Sequence, residues 1–222
     1  MRAIFFILLI TLGSIFSDIA AYAEDRPLNE LPMYGGQHDP QVAPDLKTSQ
    51  DVGKLGWDYY YKGDLDTAIK RFNQAWMFNR KNVDALWGFG LIMGNRSNEE
   101  RPEYHLREAL RFLEMAIALQ PDNPNILVDL AYNYTILGDF LNKKNDPENK
   151  GAFTNAQTFY EKAEKLSPQL PPLHLNWSVL EFCQGNYQKA KERLDKAKQL
   201  GYKPGSEYEK ELEEKLKNEP NI

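Results

Sequence analysis

The sequence predicts an all-α fold assembled from repeated helix-turn-helix units, and three observations carry that prediction. A spacing recurs: Ala68, Phe72 and Ala75 return as Ala109, Leu113 and Ala116, as Ala156, Tyr160 and Ala163, and as Ala190, Leu194 and Ala197. Residues i, i+4 and i+7 share one helix face, and alanines let a second helix approach closely. A second helical pattern precedes each copy: Val52, Leu55, Gly56, Tyr59; Leu86, Phe89, Gly90, Met93; Leu127, Leu130, Ala131, Tyr134; His174, Trp177, Ser178, Glu181. The third observation is punctuation. Gly63-Asp64, Gly138-Asp139 and Gly185-Asn186 fall between the two patterns, where glycine takes a left-handed cap and Asp or Asn opens the next turn. Arg80, Pro121, Pro168 and Tyr202 close the units.

The first residues are a separate object. Met1-Arg2 gives a positive start, residues 3–16 are almost wholly apolar, and Ala21-Tyr22-Ala23 offers small residues two apart before Glu24. This is the layout of a secretory signal over 1–23, with cleavage expected after Ala23. The other reading, an uncleaved anchor, needs about 20 apolar residues, and Asp18 interrupts the stretch. Export places the mature chain in the periplasm or outside the cell, with no membrane anchor after cleavage. The single thiol, Cys183, cannot form an internal disulfide, so the exported chain is held by packing; in a helix it reads as a small hydrophobe.

Residues 24–48 form a leader. Pro27, Pro32, Pro40 and Pro44 rule out a continuous helix, Gly35-Gly36 adds a flexible point, and the segment is predicted to be mostly extended. Leu28, Leu31, Met33 and Tyr34 make it more apolar than a tether requires. Two readings are open: the leader docks on the repeats at Trp57 and Tyr60, or it is a disordered tether.

From 49 to 204 the pattern divides into four units, 49–82, 83–123, 124–170 and 171–204, and it resembles the tetratricopeptide repeat, a helix-turn-helix unit of about 34 residues. The second unit is longer around "NRSNEERPE" and the third around "LNKKNDPENKG". His174 and Glu181 stand where the repeat expects apolar residues. Residues 205–222 follow as a capping helix and tail, with Tyr208, Leu212 and Leu216 as its apolar stripe. The leader stretch "NELPMYGG" is similar to the segment before the repeats in small exported bacterial proteins of this type.

The resemblance implies a protein-interaction module whose first helices line the concave face of a superhelix. On that geometry the partner-binding residues are Trp57, Tyr60 and Tyr61, Trp87 and Leu91, Tyr132, and Phe182, with Val128, Ile136, Leu175 and Val179 beside them. Tyrosine and tryptophan suit a binding face because each joins a broad apolar body to a polar tip. The same residues can equally be further core. A clamp for a C-terminal carboxylate is not expected, since Lys54 alone among cations falls at the corresponding places.

Composition excludes other classes. The net charge of -5 and the lack of a basic run argue against nucleic acid. His38, His105 and His174 have no metal-binding or catalytic spacing, and "NDPENKG" lacks the alternating acids of a calcium loop. No catalytic residue, cofactor or metal is predicted, and the chain reads as a non-enzyme. The function expected is an exported module binding a peptide or partner segment in an aromatic-lined groove. The alternative is a self-associating structural protein of the cell envelope, a possible homo-oligomer, suggested by the surplus apolar positions Ile69, Trp76, Leu110 and Ile117.

Overall fold

The computed structural model describes residues 26–37, 41–99, 101–203 and 207–218. The expected signal peptide and His38 lie outside the described residues. Nine α-helices occur among them and no strand: α1 Leu46–Tyr61, α2 Leu65–Phe78, α3 Val83–Arg96, α4 Pro102–Leu119, α5 Pro124–Lys143, α6 Asn149–Leu166, α7 Pro171–Cys183, α8 Tyr187–Gln199 and α9 Glu207–Asn218. None of the described helices is long and apolar enough to cross a membrane. The chain divides into two compact units, one ending at Arg80 and one beginning at Lys81.

In the first unit, Asp45 caps α1 by accepting from the Thr48 amide at 3.0 Å. The chain leaves α1 through Gly63, at φ +79, and Asp64 caps α2 by accepting from the Thr67 amide at 3.0 Å. An uncapped helix start leaves amide donors unpaired, which is why Asp recurs there. Ala68, Phe72 and Ala75 are fully buried as the spacing predicts. Leu55 is a correction: expected in the packing set, it is 44% exposed. The face α1 turns inward is made of its smallest residues, Ser49, Gly53 and Gly56. The Ser49 hydroxyl donates to the Ala75 carbonyl at 2.7 Å, and a Cβ on Gly56 would stand 2.5 Å from the Phe72 ring. So bare backbone, not a large side chain, receives the aromatic ring.

The leader departs from its expected form. Leu28–Glu30 and Pro32–Gly36 are short 3-10 turns, with Met33, Tyr34 and Gly35 at φ 52, 54 and 63. They pack on α2. The Asn73 side-chain amide donates to the Asn29 carbonyl at 3.0 Å and to the Leu31 carbonyl at 2.8 Å, and Lys70 pairs with Glu30 at 2.9 Å. Docking is therefore present, and these contacts place it on the second helix of the first pair. Prolines that forbid a long helix suit the start of a short turn, where no amide donor is needed.

The second unit holds three helix pairs and a final helix. Pairs form between α3 and α4, α5 and α6, and α7 and α8, and the first helices of successive pairs also touch. Gly138-Asp139 is the second correction. The sequence pattern predicts a turn there, yet α5 runs on to Lys143 and Gly138 lies inside it, where a Cβ would meet the Phe153 ring at 2.6 Å. The turn comes later, at Asn145 with φ 57. The longer third unit thus lengthens both of its helices. Gly138→Leu should cost about 1–3 kcal/mol by overpacking against Phe153, read as a lower urea midpoint; an unchanged midpoint would mean the ring swings clear.

The fourth pair accommodates its polar residues locally. His174 Nε2 lies 2.8 Å from the Pro168 carbonyl, and Glu181 accepts from the Asn186 amide at 2.9 Å. The Ser178 hydroxyl donates to the Ala190 carbonyl at 2.6 Å, a serine-to-carbonyl bond at other repeat positions than that of Ser49 and Ala75. Tyr208, Leu212 and Leu216 of α9 pack against Ala190 and Leu194. That contact covers the last pair, as the apolar stripe predicts.

Candidate functional site

The seven predicted binding residues fall into separate groups. In the first unit Trp57, Tyr60 and Tyr61 end α1 and form one cluster. Trp57 meets Tyr60 edge-on at 5.7 Å, stacks with Tyr61 at 6.0 Å, and meets Phe72 at 5.2 Å with the two rings inclined at 74°. Tyr61 is 79% exposed. Phe72 is a floor, and the three rings above it form an aromatic platform. Offset and edge-on ring pairs hold such a platform together.

In the second unit the side chains come from α3, α5 and α7. The Trp87 indole N–H donates to Asp129 Oδ2 at 2.7 Å, tying α3 to α5. Burial lifts the Asp129 carboxyl to about 6; the indole bond acts against that rise without cancelling it. Tyr132 follows one turn later on α5, 37% exposed, its phenol pushed up chiefly by burial. Leu91 lies one turn beyond Trp87 and is half-buried. Phe182 belongs elsewhere: it packs against Tyr187 at 5.4 Å and Tyr208 at 5.5 Å, in the cluster that α9 closes.

Asp129 is the residue that sequence reasoning misses. Carboxylates on charged helix faces are usually solvated, yet Asp129 stands one helical turn before Tyr132, a residue of the predicted lining of α5. An acid among lining aromatics was the available signal.

The arrangement offers apolar contact and hydrogen bonding. Among the described residues no group of three or more His, Cys, Asp or Glu is set to hold a metal ion. His105 Nδ1 lies 2.7 Å from the Arg96 carbonyl. Burial pushes the Cys183 thiol up to about 12, so it stays protonated near neutral pH and lacks the character of a nucleophile.

No family model matches the chain. Among solved structures, a thermophilic TPR protein of Thermus thermophilus is similar with a TM-score of 0.59 and 24% identity, over 69% of this chain and 74% of that one. The fold is that of the tetratricopeptide repeat. Tetratricopeptide repeat protein 5 of Bos taurus is 23% identical over 181 residues, 79% of this chain, and that of Mus musculus 22% identical over 187 residues, 82% of this chain. The chain spans about two fifths of the length of these relatives, 40% and 42%. In the tetratricopeptide-repeat fold, α3, α5 and α7 are first helices of their pairs, and so is α1.

Proposed function

We propose that the chain is a non-enzymatic, exported interaction module that binds a segment of a protein partner on the first-helix face of its repeats. The observation that carries this reading is the Trp87–Asp129 bond, with Tyr132 one turn further on and partly exposed. Aromatic rings with polar tips beside a half-buried acid supply both contact area and a hydrogen-bonding point, the usual composition of a binding hot spot. The tetratricopeptide-repeat fold and relatives support an interaction module in general, and the first unit carries an aromatic platform of its own at Trp57, Tyr60 and Tyr61. Self-association loses its sequence argument: Ile69, Trp76 and Leu110 are buried and Ile117 is half-buried, so these positions do not await a second copy.

Photo-crosslinking tests the face. A crosslinker at Leu91 or Tyr132 should give partner adducts in cells, and one at exposed Lys165 of α6 should not. Adducts of equal yield from all three positions would defeat the reading. Export has its own test. The mature protein should start at Glu24 by intact mass, in a fraction outside the cytoplasm; a mass that retains 1–23 would overturn it.

A further inference from the structure

The contact between the leader and α2 joins a buried side chain to the leader's main chain. Asn73 takes hold of carbonyl groups, which every residue carries. Asn73 lies fully buried between Ile69 and Trp76 on one face of α2, at i, i+4 and i+7. Both of its bonds go to leader carbonyls two residues apart, Asn29 and Leu31. An amide reading alternate carbonyls is a device for gripping a peptide whatever its side chains are. Selectivity comes from the surroundings: Lys70 takes Glu30 at 2.9 Å, and Pro32 is buried.

A second observation shows that the grip is incomplete. Asn73 Oδ1 is buried and has no hydrogen-bond partner among the described residues. An uncompensated buried acceptor is a standing cost. A peptide that placed one main-chain N–H against that oxygen would fit better than the leader does.

From these contacts we infer that the Asn73 face of α2 is a peptide-binding site, and that the leader is its displaceable resident. The ligand class is a segment of a partner protein in which an acidic residue directly precedes Leu-Pro, as Glu30 precedes Leu31 and Pro32. The resident itself defines that chemistry. Because the leader is tethered close by, its effective concentration is on the order of millimolar for a short flexible link. A free peptide therefore competes poorly until the resident is weakened. The site lies on a second helix, so its failure leaves the first-helix reading standing.

The test uses the full mature chain and a fluorescein-labelled peptide of residues 26–37. In one variant the resident is disabled within the leader by Glu30→Lys and Leu31→Asp. A second variant adds Asn73→Leu, and circular dichroism confirms that each is helical. Anisotropy should show the peptide binding the leader-disabled chain at least tenfold more tightly than the unaltered chain, with binding lost on adding Asn73→Leu. Binding to none of the three, or binding indifferent to Asn73, overturns the proposal. A leader-swapped dimer of the unaltered chain in sedimentation would make a second copy the occupant and would overturn it as well.

Discussion

Phe72→Ala is expected to destabilise the first helix pair by about 3–5 kcal/mol, the usual cost of truncating a buried phenylalanine. The ring is fully buried, and its wall is the bare backbone at Gly56, where even a Cβ would be 2.5 Å away. Glycine has no side chain to fall into the space, so the cavity collapses poorly. Trp57 also packs on Phe72 at 5.2 Å, and the aromatic platform loses its floor with the ring. Gly56→Leu attacks the same contact from the other side and should cost about 1–3 kcal/mol by overpacking. The double variant should lose less than the sum, because the added leucine occupies the vacated volume. Urea unfolding gives the energies, and hydrogen exchange gives their place. Amides of α1 and α2 should lose protection while those of α7 and α8 keep it, since repeats in a solenoid depend on their neighbours. Uniform loss along the chain would contradict repeat-wise packing.

The repeat was legible because its signal is local. Ala68, Phe72 and Ala75 and each of their three echoes are buried, as i, i+4, i+7 spacing requires. Leu55 shows where that logic fails. Hydrophobicity favours the large residue, but close helix approach selects small ones: Gly56 stood in the repeat pattern, whereas Ser49 and Gly53 leave no apolar trace in the sequence. Glycine was ambiguous for a related reason. Gly63 and Gly185 both sit at φ +79 and end helices, whereas Gly138 is helical and is needed for the missing Cβ. The residue type is one, the physical reason is two, and only the facing Phe153 decides between them.

The site was legible in composition and less so in grouping. Trp57, Tyr60 and Tyr61 are close in sequence, and their cluster follows from helix geometry. Phe182 takes its predicted place from its position in the repeat, but α9 brings Tyr208 to it from outside the repeats. The leader hid its docking surface because Asn73 binds carbonyls, which every residue carries. Asp129 was hidden by a sound generalisation about surface acids that the covering indole of Trp87 defeats here.

That acid gives the second large effect. Asp129→Asn is expected to raise stability at pH 7 by up to about 3 kcal/mol, at 1.36 kcal/mol per unit of pKa change, and to leave it unchanged near pH 4. The folded carboxyl titrates at about 6 against an ordinary value of 3.8, and burial is the main cause. A raised value means that the folded chain prefers the protonated acid. The stability associated with it is whole below 3.8 and is lost as pH rises through about 6. Asparagine is neutral throughout, and its carbonyl oxygen can accept the indole N–H, so the variant escapes the loss. Urea midpoints of both chains from pH 4 to pH 8 should diverge over that window, and a constant difference would show that the carboxyl is solvated. Trp87→Phe should widen the window, because removing the donor that steadies the carboxylate moves its titration further up. Crosslinking at Tyr132 in the Asp129→Asn chain then separates two roles. If adducts persist, the acid only braces α3 against α5. If a more stable chain gives fewer adducts, the half-buried charge is kept at the expense of stability because the partner uses it.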